Sequence, residues 1–278
     1  MAAYDAIIIG AGHNGLTTAK VLSDRGLKTL NLEKNDFVGG ICGTREVFDG
    51  CRNEIGATYL FPIVNQIYEE MEFDKYGMEF IDMPIASVNL MEPDDAPLIM
   101  YGDVMKMAEH VFTDFGEEAA MGFMNLSEYV KYPSQVMDRF SLRTRPKTMG
   151  EIFASAKTET QREQLRTMFF GSAMDIIDRF FPDKKKHRAI RAMLAFMAVQ
   201  SSYKGPYTAG SAFCFLYSMS NNNEDSSGLM RRPKGGMGSL PETLARAVEA
   251  KGGEIRLKAP VDSIIIENGR AVGVKMKD

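Results

Sequence analysis

Apolar residues follow two different periods along this chain. Near both ends they come in short runs bounded by glycine and polar residues, which is the pattern of strands; between, they recur every three or four positions, as in helices. Ala6–Ile9 is a β-branched run of the kind that a strand buried on both faces of a parallel sheet requires. After a glycine-rich turn, Leu16, Ala19 and Leu22 share one helical arc, and Gly26 is a natural stop. The run Lys28-Thr-Leu-Asn-Leu-Glu33 then predicts a second strand that ends on an acid. Near the C-terminus Leu240, Leu244 and Val248 fall on one helical face, behind a Ser239-x-x-Glu242 capping box. Ile255–Leu257, Ser263–Glu267 and Ala271–Met276 read as short strands, with Asn268-Gly269 as a hairpin turn.

The region from about Ile67 to Gly228 reads as a mostly helical insertion. Asp103 is an acceptable N-cap for a first helix with Val104, Met107, Ala108, Val111, Phe112 and Phe115 on one face. Further helices are expected over Leu126–Phe140, Thr160–Phe180, Arg188–Gln200 and Ala209–Met219, with turns or kinks at Pro133, Pro146, Pro182 and Pro206. Asn221–Gly228 reads as a polar loop.

The first strand, turn and helix carry the candidate chemistry. In Gly10-Ala-Gly-His-Asn-Gly15, Gly10 permits a tight turn, Gly12 lets backbone approach a phosphate, and Gly15 lets the helix pack closely on the strand. The helix start offers free N–H groups and a partial positive charge to a diphosphate. Glu33, eighteen residues past Gly15, stands where an acid would bind the ribose hydroxyls. That arrangement describes a dinucleotide-binding βαβ unit. Glu33 disfavours a 2′-phosphate and so NADP, but does not separate NAD from FAD.

The continuation Lys34-Asn-Asp-Phe-Val-Gly39-Gly40, with Thr44 and Asn53–Thr58, resembles the FAD-dependent oxidoreductases of the phytoene desaturase type, within the amine oxidase-like flavoproteins. A second block, Arg232-Pro-Lys-Gly-Gly-Met-Gly-Ser-Leu-Pro-Glu followed by Gly252-Gly253, Val261 and Gly269–Val274, resembles the second FAD-domain segment of that family. The resemblance implies an α/β architecture: a Rossmann-like FAD-binding domain with an inserted, mainly helical substrate domain. Its segments would be 1–66 and 229–278 for the FAD domain and 67–228 for the insertion. The implied cofactor-binding set is Gly10, Ala11, Gly12, Asn14, Gly15, Glu33, Lys34, Gly39 and Gly40, with Val261 touching adenine through its backbone. The family continues to a C-terminal flavin-binding segment that is absent here, which implies a shortened chain whose FAD binding is weak or needs a partner chain.

Composition alters this picture little. A net charge of −4 gives no general attraction to nucleic acid. Cys42, Cys51 and Cys214 fit a reducing compartment, and a cytoplasmic location is the default. Eight residues separate Cys42 from Cys51, so two packed side chains are favoured over a redox dithiol. His13, His110 and His187 lack metal-ligand spacing, and no metal site is expected. Phe180-Phe-Pro-Asp-Lys-Lys-Lys-His-Arg188 suits a solvated helix entrance first and a peripheral membrane contact second. Met168-Phe-Phe170, Met193–Met197 and Phe213-Cys-Phe215 suit either an adaptable apolar pocket or a helical core, and core packing is the commoner use.

The expected function is FAD-dependent hydride removal from an apolar, polyene or retinoid-like substrate, with an amine as the second choice. No catalytic residue is singled out, and the electron acceptor and oligomeric state carry no sequence signal. Two other readings are a non-catalytic lipid escort of GDP dissociation inhibitor-like architecture and an NAD-binding dehydrogenase domain. The first has no use for Gly10, Gly12, Gly15 and Glu33, and the second none for Gly39-Gly40 or the Lys234-Gly-Gly block.

Overall fold

The computed structural model describes residues 4–58, 60, 65–81, 83–90, 92, 96–138, 145, 147–200, 202–220 and 232–277. The expected loop 221–228 and Pro146 lie outside them. In chain order the first elements are β1 (Ala6–Ile9), α1 (His13–Asp24), β2 (Thr29–Leu32), β3 (Thr44–Phe48), β4 (Cys51–Glu54) and α2 (Asn65–Glu70). Then come β5 (Phe80–Ile81), β6 (Ile85–Asn89), β7 (Leu98–Tyr101), α3 (Val104–His110) and α4 (Glu117–Asp138). The central helices are α5 (Met149–Ala154), α6 (Glu159–Phe170), α7 (Ala173–Phe180), α8 (Arg188–Val199) and α9 (Ser211–Ser220). The last elements are β8 (Arg232–Pro233), α10 (Ser239–Ala250), β9 (Glu254–Arg256), β10 (Val261–Glu267) and β11 (Arg270–Met276). The chain divides into two compact units, one of residues 1–82 with 230–278 and one of residues 83–229.

The first unit is built on a parallel sheet of order β1-β2-β9, with Ile8 opposite Asn31 and Asn31 opposite Ile255. Side chains alternate across a strand, so the two faces of β2 have different tasks. Leu30 and Leu32 cluster with Ala259, whereas Thr29 turns to α1, where its hydroxyl meets Ser23 Oγ at 2.9 Å. Leu16 joins Met237, Leu240, Leu244 and Ala245 in the core on which α10 also packs. β1 is less enclosed than its sequence suggests. It lies at the edge of the described sheet, and Ile9 is 51% exposed.

The helical arc of α1 also differs from the apolar pattern. Leu16, Ala19, Lys20 and Ser23 are the buried positions, while Leu22 is only half-buried. Lys20 is fully buried because Asp24 at 2.5 Å and Glu72 at 3.3 Å neutralise it. Gly26 stops the helix with a φ of +79°, in the left-handed region. At α10 the expected capping box is not formed. Gly238 is the N-cap, and Ser239 Oγ donates to the Lys234 carbonyl instead, because the turn through Gly235 and Gly236 brings that carbonyl back to it. Asn268 and Gly269 both take positive φ in the β10–β11 turn, as a two-residue hairpin demands.

The second unit holds the antiparallel pair β6–β7 and the helices α3–α9 around one apolar core. Asp103 caps α3, accepting from Lys106 N at 2.9 Å. Val111 is buried while Ala108 and Phe112 are exposed, and a π-helical turn over Val111–Phe115 adds a residue to the repeat beyond that point. His110 closes the top of this helix. Its Nε2 accepts the Ile99 N–H at 2.9 Å, and its Nδ1 faces Asp114 at 2.6 Å.

Pro133, where a turn or kink was expected, lies inside α4. The expected single helix over 160–180 is two, because Ser172 and Asp175 form a capping box that starts α7 after Gly171. Met168, Met193 and Phe215 are core residues, as the commoner reading of such residues has it. Phe181 is buried too, and Lys186 is paired with Glu118 at 2.8 Å, so the 180–188 stretch lacks the exposed aromatic that a membrane contact would use. Among the described residues no helix is long and apolar enough to cross a membrane.

Candidate functional site

The glycine turn between β1 and α1 sits above the end of β2. Gly10 has a φ of +99°, a conformation that favours glycine, and Gly15 is fixed by space, since a Cβ there would stand 2.3 Å from the Gly10 carbonyl oxygen. Gly12 differs from both. It is the N-cap of α1 with ordinary extended backbone (φ −74°, ψ 172°), and a Cβ on it would meet only the Gly39 carbonyl, at 3.9 Å. Neither the backbone nor the packing of the chain itself therefore requires glycine at 12. What the bare Cα leaves is open space over a helix start that no side chain caps. The first-turn N–H groups there carry the positive end of the helix dipole.

Glu33 closes the turn from below. It is only 5% exposed, and its Oε2 accepts the Ala11 N–H at 2.8 Å. Oε1 accepts from Asn35 N at 2.9 Å and from Asn35 Nδ2 at 2.8 Å. A carboxylate offers about four acceptor positions, and three are taken, which leaves about one for a hydroxyl. Asn31, two residues earlier and within β2, donates from Nδ2 to the Gly10 carbonyl at 3.4 Å.

Two more segments are tied to the turn. Gly39 N donates to the Ala11 carbonyl at 2.8 Å, and Gly39 and Gly40 take φ of +114° and +54°. Cys42 Sγ lies 3.5 Å from His13 Nδ1, and burial pushes its thiol pKa up. Cys42 and Cys51 are both free thiols, one buried and one exposed. Thr44 Oγ1 accepts the Gly238 N–H at 2.7 Å, which fastens the 235–238 turn to the Gly-Gly segment. On the far side of Glu33, its carbonyl accepts Ala259 N and the Asn35 carbonyl accepts Lys258 N, both at 2.8 Å.

Of the residues singled out in the sequence, Gly10, Ala11, Gly12, Gly15, Glu33, Gly39 and Gly40 thus converge. Asn14 and Lys34 are exposed, in the first turn of α1 and just after Glu33. Val261 opens β10 two residues past Ala259, and its side chain packs beside Leu30, Leu32 and Ala259. Asn31, Asn35 and the His13–Cys42 contact were not anticipated. The one sequence signal for Asn31 is a carboxamide between two leucines in a buried strand.

These features fit a dinucleotide. Room above Gly12, uncapped helix N–H groups and one spare carboxylate acceptor match a diphosphate followed by a ribose.

Comparison with known proteins agrees. The sequence matches the family described as flavin containing amine oxidoreductase over residues 15–278. Pyridine nucleotide-disulfide oxidoreductase domain-containing protein 2 of Rattus norvegicus is 25% identical over 99% of this chain and 51% of its own length. Chloroplastic prolycopene isomerase of Daucus carota is 28% identical over 98% of this chain and 43% of its own. The chain thus spans about half the length of the curated relatives it matches. Among solved structures, putrescine oxidase bound to putrescine aligns with a TM-score of 0.56 and 21% identity over 94% of this chain and 52% of that one. A Rab GDI of Plasmodium falciparum aligns with a TM-score of 0.52 and 16% identity over 98% of this chain and 62% of that one. These two likenesses establish the α/β fold.

Proposed function

Because the chain belongs to the flavin containing amine oxidoreductase family, we propose that it binds FAD over the start of α1 and serves an oxidation of an apolar, polyene-like substrate. The observation that carries this reading is Gly12, whose missing side chain serves no contact of the chain and leaves space over an uncapped helix start. Bound flavin supplies the hydride acceptor for removal of hydrogen from a substrate C–H bond.

The chain's own residues supply binding and orientation. The first-turn N–H groups of α1 face the diphosphate, and the spare acceptor of Glu33 takes a ribose hydroxyl. Gly39 and Gly40 bring a second stretch of backbone against the cofactor. The backbone at Val261 meets the adenine, next to the segment that Glu33 and Asn35 hold through Ala259 and Lys258. Asn14 and Lys34 stand at the exposed margin of the same set. No side chain is assigned as acid or base.

The name of the carrot relative supports a polyene substrate. A non-catalytic escort shares the fold, but would have no use for the open space at Gly12.

The test is a titration of the purified chain with FAD. About one flavin per chain, absorbing near ~450 nm, is the expected result. A folded protein that takes up neither FAD nor ADP overturns the reading.

A further inference from the structure

One peptide unit of the glycine turn is gripped at both polar ends by side chains from β2 and the residue just after it. The Ala11 N–H donates to Glu33 Oε2 at 2.8 Å, and the Gly10 carbonyl accepts from Asn31 Nδ2 at 3.4 Å. Asn31 lies on β2 and Glu33 follows its last residue, two positions on, and both side chains reach the same peptide. Because a peptide is planar, holding its C=O and its N–H fixes its orientation. Gly10, at a φ of +99°, would otherwise be the most pliant point of the turn.

Asn31 is an expensive choice for the fold alone. It is fully buried, its Nδ2 bond is long, and its Oδ1 has no hydrogen-bond partner. A buried acceptor without a donor loses its hydration for nothing, and a long hydrogen bond returns little. An apolar residue, like the leucines on either side, would fill the position without that loss. The balance therefore points to a task in the loaded protein.

We propose that Asn31 is a positioning residue for the cofactor's diphosphate. It sets the plane of the Gly10–Ala11 peptide, and through it the direction of the backbone that leads into the Gly12 cap and the first-turn N–H groups of α1. This rests on the reading of the turn as a dinucleotide site.

The experiment is calorimetric titration of the full chain with ADP, alongside urea unfolding of the same proteins without ligand. Asn31→Leu is expected to unfold at an equal or higher urea midpoint than wild type while binding ADP roughly three- to tenfold more weakly, the loss of one hydrogen bond's worth of orientation. Asn31→Val is the second variant, should leucine not be accommodated, and is expected to behave alike. Affinity equal to wild type in the folded variants overturns the inference, as does a loss that is matched by a drop in the urea midpoint. If wild-type chain itself ignores ADP, the dinucleotide reading fails and takes this inference with it. If wild type binds and the variants bind equally well, only the role of Asn31 fails.

Discussion

Gln164 Nε2 donates to the Tyr129 carbonyl at 2.9 Å. That carbonyl is the helical acceptor for position 133, where proline has no N–H to give. A buried side chain from α6 thus replaces the missing bond of α4 and allows the helix to run on to Asp138. Gln164→Leu should destabilise the chain by about 1–3 kcal/mol, because it strands the carbonyl. Adding Pro133→Ala, which restores the N–H, should shrink that cost. Urea midpoints of the two single variants and the double variant make the check.

Gly12 and Gly15 should respond differently to the same added methyl group. Gly12→Ala has ordinary backbone and free space, so unliganded stability should stay within about 0.5 kcal/mol of wild type. Its FAD affinity should fall by about tenfold or more, since the Cβ would enter the space proposed for the phosphate. Gly15→Ala puts a Cβ 2.3 Å from backbone oxygen and should lose about 1–3 kcal/mol of stability as well. Thermal unfolding with and without FAD separates the two effects.

The Thr44–Gly238 contact joins parts of the site that are far apart in sequence. Thr44→Ala removes the acceptor of the Gly238 N–H and should cost about 0.5–1.5 kcal/mol, with Thr44→Ser close to wild type. Gly238→Ala should be worse, because its Cβ would lie 2.8 Å from Thr44 N. Both losses are read from denaturant midpoints, and weakened FAD binding should accompany them.

His187 is fully buried, and neither ring nitrogen has a hydrogen-bond partner. Burial holds its pKa below the usual 6.5, against the pull of Glu118, while Asp183, Lys186 and Arg191 also face it. The unfolded chain therefore takes up the proton first as pH falls. Stability should be full above about pH 6.5 and should decline below it. His187→Phe should flatten that decline. Unfolding midpoints between about pH 5 and 7 report the difference.

The geometry of the glycine turn was legible because its signals are local. Ala6–Ile9, the spaced glycines and Glu33 all lie within one βαβ unit, and strand, helix and acid fall where their spacing puts them. Asn268-Gly269 was legible for the same reason. What escaped depends on distant partners. Lys20 has no place in the expected apolar arc until Glu72 is brought to it, and Pro133 reads as a turn or kink until Gln164 supplies the missing donor. Ser239 and Glu242 have the spacing of a capping box, but the left-handed glycines before them offer the serine a nearer carbonyl. Asn31 was passed over because apolar periodicity tolerates one polar residue in a strand. Only the peptide at its tip gives it a meaning.

The bond between Glu33 and Ala11 bears on any attempt to re-engineer nucleotide preference. Exchanging the acid for a neutral or basic residue, the usual route to accepting a phosphorylated ribose, would also unfasten the amide that it anchors. In the proposed site, selectivity and loop shape are mechanically coupled at residue 33, so a successful redesign has to provide a substitute acceptor for residue 11.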